Sequence, residues 1–145
     1  MFCLLFYVLS GLCVKETERT KLIGTSSHYK DTFVMEIELQ TFSIPAGGRI
    51  VKNEFTTYDP EEYYTEELNL FYLQEDLLQI EFKELDLVVD LGWYGEIWEN
   101  KGEFRVVVIK NYDWENPIHN ETSKSQKLIL AKLENILLNI DRYEK

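Results

Sequence analysis

Histidine, cysteine and proline are nearly absent from this chain: two, two and three residues out of 145. His28 and His119 stand far apart without a neighbouring ligand or nucleophile, so they read as solvent-facing loop residues, not as general bases or metal ligands. Cys3 and Cys13 both lie in the first apolar run. Their spacing matches neither a zinc site nor a secreted disulfide framework, and a reducing, cytoplasmic setting follows as the expectation. No serine sits in a nucleophile elbow, and neither cysteine has the basic surroundings that would activate a thiol. The Asp-x-Asp-x-Asp-Gly order of a calcium loop is missing. Gly47-Gly48 has no Lys-Ser or Lys-Thr behind it, so it reads as a turn and not as a phosphate loop. The chain is therefore expected to be no enzyme and to need no metal or cofactor.

Positive charge is also short. Fifteen Lys and Arg face 26 Asp and Glu, giving a net charge of −11 and a pI near 4.6. Nucleic acid, which is gripped through clustered Lys and Arg, is excluded as a partner on this count, and an anionic membrane surface would repel the chain. A basic protein is the electrostatic complement.

Long hydrophobic runs are limited to Met1–Val14. Fourteen helical residues rise about 21 Å, short of the roughly 30 Å hydrocarbon core. The first positive charge, Lys15, follows the run where an export signal needs one in front, and Leu12 stands where a lipoprotein box wants a small residue. Residues 1–34 thus read as an N-terminal extension, either a buried strand or sequence ahead of an initiator at Met35. An exported lipoprotein or periplasmic binding domain is the alternative that this run supports.

Acidic residues are concentrated instead. Between Glu54 and Glu103 fifteen of them meet only Lys83 and Lys101, and ten aromatics lie among them. A disordered acidic tail lacks aromatics and β-branched residues, so this stretch should fold.

The expected class is α+β, one domain over residues 35–145: an antiparallel sheet of about five strands with a C-terminal helix packed on one face. Met35–Thr41 alternates apolar and charged residues, the period of a half-exposed strand. Arg49–Phe55 returns as the next. Asp59-Pro60-Glu61-Glu62 predicts a short helix with Asp59 as N-cap, after which Leu68–Leu73 reads as strand. Leu78–Lys83 and Leu85–Trp98 supply further strands. A compact turn at Asn100-Lys101-Gly102 leads to Phe104–Ile109, read as the central strand, with Glu96 facing Arg105. Thr122 or Ser123 is expected to cap a helix running to about Arg142, with Ile129, Leu133, Ile136, Leu137 and Ile140 in one stripe.

Carboxylate pairs are too many to single out one for glycosidase-type chemistry, and a carboxylate-dependent hydrolase stands as a lesser alternative. The aromatics are more telling. Trp93 and Tyr94 are adjacent in a strand and point to opposite faces, while Trp98 is spaced to share a face with Tyr94. With one face under the helix, the other should present aromatics ringed by Glu61, Glu62, Glu96 and Glu99, the anatomy of a protein-binding hot spot. The candidate partner-binding residues are Glu61, Glu62, Tyr63, Glu66, Glu67, Trp93, Tyr94, Glu96, Trp98 and Glu99.

A small acidic domain without catalytic apparatus and with aromatic anchors in an acidic field resembles the immunity proteins of bacterial contact-dependent growth inhibition. The resemblance is one of type, covers Met35–Lys145 and assigns no individual residue. It implies a tight complex with a cognate basic toxin domain, often a nuclease.

Overall fold

The structure is a computed structural model that describes residues 36–98 and 101–144. Expectations placed on residues 1–34, His28 and the two cysteines included, lie outside the described residues.

Five strands form one antiparallel sheet in chain order: β1 (Gly48–Asn53), β2 (Leu78–Phe82), β3 (Leu87–Tyr94), β4 (Glu103–Lys110) and β5 (His119–Ser123). Helix α1 (Glu66–Tyr72) lies between β1 and β2, and helix α2 (Gln126–Leu138) follows β5. The fold is α+β, with the C-terminal helix packed against β4 and β5.

Strand parity decides the core. Ile80 and Phe82 of β2, Leu87, Val89, Leu91 and Trp93 of β3, and Phe104, Val106 and Val108 of β4 join Ile129, Leu133, Ile136 and Leu137 of α2 in one buried core. The helical stripe read from the sequence is thus the packed one, with Ile140 continuing it in a 3-10 turn, Ile140–Tyr143. A smaller buried cluster, Val88, Val107 and Ile109, occupies the opposite face.

Several local expectations are corrected. Among residues 36–41 the alternating pattern yields only one isolated bridge, Leu39 to Thr56. Its partner segment offers no further strand, because the chain turns away at Asp59-Pro60. That Asp-Pro pair starts a turn and not a helix: Glu62 and Tyr63 donate to the Asp59 carbonyl, and the chain then straightens. The helix begins at Glu66, where the Thr65 hydroxyl caps the Leu68 N–H at 3.1 Å. Leu68–Tyr72, read as strand, lies within it because Leu68, Asn69, Tyr72 and Leu73 fall on one helical side facing the core. β3, not β4, holds the middle of the sheet. Arg105 pairs in register with Gly92 and lays its guanidinium 3.9 Å from the Tyr94 ring centre, so the ring and not Glu96 is its contact. The β3–β4 connection runs from Gly95 to Gly102, longer than the compact turn expected. Residues 119–123 form an edge strand, and α2 starts only after Ser125.

Candidate functional site

Asn69 joins two segments that sequence distance separates. It is fully buried, accepts the Tyr58 hydroxyl at Oδ1 (2.6 Å) and donates from Nδ2 to the Ile97 carbonyl at 3.0 Å. Both ends of a buried amide are therefore satisfied, and α1 is fixed beside the β3–β4 connection. Burial also pushes the Tyr58 hydroxyl above its usual pKa, which keeps it a donor.

A second constraint acts from below. Before β2 the chain bulges over β3: Trp93 N–H donates to the Gln74 carbonyl at 2.7 Å and Leu77 N–H to the Leu91 carbonyl at 2.9 Å. The intervening Glu75 carbonyl passes so close to Gly92 that a Cβ there would lie 1.6 Å from it. Only glycine admits this crossing.

Between α1, the bulge and the β3–β4 connection lies an open recess of about 470 Å³. Leu70, Leu73, Trp93 and Ile97 give it apolar walls. Lys52, Gln74, Glu75 and Asp76 line it as well, so its surface is polar as much as apolar. Leu70, which lines it, is 54% exposed, and α1 and the β3–β4 connection carry exposed Phe71 (62%) and Trp98 (50%). Glu66, Glu67 and Glu96 are exposed on the same two segments.

The sequence-predicted residues divide accordingly. Glu66 and Glu67 are exposed on α1, and Glu96 and Trp98 are exposed on the β3–β4 connection that Asn69 ties to it. Glu61 is exposed near the start of α2, and Glu62 is bound there by Lys127, whose hydrogen bond holds the carboxyl below its ordinary pKa. Tyr63 is half-buried against the core. Trp93 is corrected: it is 2% exposed and stacks edge-on against Phe104 with ring centres 4.9 Å apart, because its strand face is the one α2 covers. Tyr94 points the other way, half-buried under Arg105. Trp98 lies beyond the end of β3, after Gly95 at φ 107°, so strand parity does not carry Tyr94 and Trp98 onto one face. Glu99 lies outside the described residues. The sequence reading missed Leu70, Phe71, Glu75 and Asp76. Gly92 within an apolar strand was the one signal that a backbone crosses there.

Electrostatically the surface is less uniform than the linear count suggests, since Glu81 pairs with Arg49 at 2.6 Å and Glu54 with Lys52 at 3.3 Å. Asp90 is the one described carboxyl driven far from its usual range, to about 6 by burial, with the Gln79 amide hydrogen bond opposing. It lies on the sheet face away from α2, in the cross-strand row Lys52, Gln79, Asp90, Val107, Asn120. His119 sits in β5 and not in a loop, 3.5 Å from Glu121 and beside the Tyr143 ring. Among the described residues no three His, Cys, Asp or Glu side chains cluster as a metal site would require. No described helix is long and apolar enough to cross a membrane.

A second exposed apolar patch, Tyr112, Trp114 and Ile118, occupies the β4–β5 connection at the opposite end of the sheet. Its own acidic residues are Asp113 and Glu115 alone.

No protein-family description, curated protein or solved structure matches the chain.

Proposed function

We propose that this chain is an immunity protein that binds and neutralises a basic toxin domain, a nuclease, in the cytoplasm. The observation that carries the reading is the surface that Asn69 assembles: solvent-facing Leu70, Phe71 and Trp98 on two fixed segments that also bear Glu66, Glu67 and Glu96. Apolar anchors inside a charged rim suit a protein partner, and the sign of the rim selects a cationic one. A nuclease cleft lined with Lys and Arg for phosphate is such a surface. An acidic protein that covers it excludes the substrate, and opposite charge speeds the encounter.

The test is to read the gene beside this one and co-express the chain with the C-terminal domain of any large secreted protein it encodes. A stable one-to-one complex and rescue of growth are expected, with association slowed by added salt. Trp98→Ala and Glu66→Gln/Glu67→Gln should weaken the complex while the circular dichroism spectrum stays unchanged. Absence of a complex, or a complex indifferent to these changes, rejects the reading.

A further inference from the structure

We infer that the recess beside α1 receives an arginine side chain of the partner, its methylene stem along Leu70, Leu73 and Ile97 and its guanidinium at Glu75 and Asp76. This rests on the protein-binding reading above and specifies the chemistry of that site.

The apolar and polar parts of the lining ask for different parts of one ligand. A recess that mixes apolar side chains with a few polar groups can hold the two parts of an amphipathic ligand at once. Here Leu70, Leu73, Trp93 and Ile97 share the lining with Lys52, Gln74 and two adjacent carboxylates, Glu75 and Asp76. Glu75 and Asp76 are exposed, and among the described residues neither belongs to an ion pair. Lys52, the lining's cation, is already engaged by Glu54 at 3.3 Å. An anionic ligand would therefore meet two free negative charges, and a wholly apolar one would leave them uncompensated.

Arginine fits better than lysine. Its planar guanidinium offers several donors in a fixed fork and is more weakly hydrated than an ammonium, so it suits a site that is part apolar and part carboxylate. The site is also built in advance. Two backbone hydrogen bonds hold the Gln74–Leu77 bulge to β3, the Gln74 side chain donates to the Leu70 carbonyl at 2.7 Å, and Asn69 fixes the Ile97 wall. Little ordering is left for the ligand to impose.

The experiment titrates the isotope-labelled full chain with N-acetyl-arginine amide and, in parallel, with N-acetyl-citrulline amide, the uncharged analogue of the same shape. The expected result is saturable amide shifts at Gly95 and Ile97 and at the Trp93 indole N–H with the arginine probe at millimolar concentration. Citrulline, and the Glu75→Gln/Asp76→Asn variant with arginine, should respond at least tenfold more weakly, with the variant's remaining spectrum confirming its fold. Equal shifts from citrulline, shifts scattered over the surface, or an undiminished response in the variant overturn the inference. A toxin domain that binds this variant as tightly as the parent but loses the Trp98→Ala protein removes the arginine site and leaves the immunity reading standing. A clean arginine response without any toxin complex does the reverse.

Discussion

Asp59 caps helix α2 from 67 residues away: its Oδ2 accepts the backbone N–H of Gln126 at 3.0 Å. The same oxygen takes the Ser125 hydroxyl at 3.1 Å, and Oδ1 takes the Glu61 N–H at 3.0 Å. Ser125, the residue at the N-cap position, makes no capping bond with its own side chain. A carboxylate at a helix N-terminus is favoured by both the free N–H groups and the helix dipole. Asp59 is 3% exposed, so removing it strands buried donors as well as the cap. Asp59→Ala should cost about 2 kcal/mol, the upper end for cap loss. Asp59→Asn, which keeps an acceptor but not the charge, should cost about half of that. Urea unfolding of the two variants measures both, and an Asp59→Asn protein as stable as the parent would show that the charge is irrelevant.

Gly92 is the pivot of the recess. A Cβ at this position meets the Glu75 carbonyl at 1.6 Å, and the obstacle is backbone that cannot rotate aside. Gly92→Ala should therefore lift the bulge, break the Trp93–Gln74 and Leu77–Leu91 hydrogen bonds, and cost about 3 kcal/mol, the high end for overpacking. Amide exchange at Leu77 and Trp93 is expected to accelerate before exchange at Val106 or Val108. Uniform acceleration across the sheet would mean that the crossing has no local role.

Much of this architecture was legible because periodicity reports burial. The stripe from Ile129 to Ile140 and the apolar runs that became β2, β3 and β4 each carry enough repeats to separate helix from strand. Two elements did not announce themselves. α1 is seven residues long, and Leu68–Leu73 contains too few turns for a helical period to outweigh an apolar run. β5 reads His-Asn-Glu-Thr-Ser, with no apolar alternation, and is a strand because β4 offers it a register from Phe104–Ser123 to Val108–His119. The site shows the same limit. That Trp93 and Tyr94 face opposite ways follows from adjacency, but which face α2 covers is a tertiary choice. Asn69 and Glu75 matter through partners 28 residues away and through a glycine on another strand. Nothing local marks either.

Two of the three tryptophans, Trp93 and Trp98, should separate cleanly by experiment. Trp93→Ala opens a cavity in the core and should cost about 3 to 5 kcal/mol. Trp98→Ala removes a half-exposed ring and should alter stability by no more than about 0.5 kcal/mol. In a protein whose only tryptophan is Trp93, fluorescence should be blue-shifted and resist acrylamide. Trp98 alone should emit further to the red and be quenched readily. A quenchable Trp93 would contradict the packing against Phe104.

Asp90 predicts a pH dependence of opposite sign to ordinary acid denaturation. Burial holds its carboxyl at about 6 in the folded protein against 3.8 for the free side chain, with Asp76 adding to the rise and Arg105 and Lys52 opposing it. Between these values the folded state binds more protons than the unfolded one, so this group's contribution to stability declines as pH rises through the window and is constant above it. Asp90→Asn retains an acceptor for the Gln79 amide but cannot ionise. The variant should match the parent near pH 4 and exceed it by about 2 to 3 kcal/mol at pH 7.5, following the shift in pKa. Glu62 and Glu121, which their lysine partners hold below the usual range, give the contrary slope at lower pH. They are common to both proteins and cancel in the difference. Urea unfolding of parent and variant at pH 4.5, 6 and 7.5 isolates the term, and an advantage that does not grow with pH would mean that Asp90 is solvated in the native state.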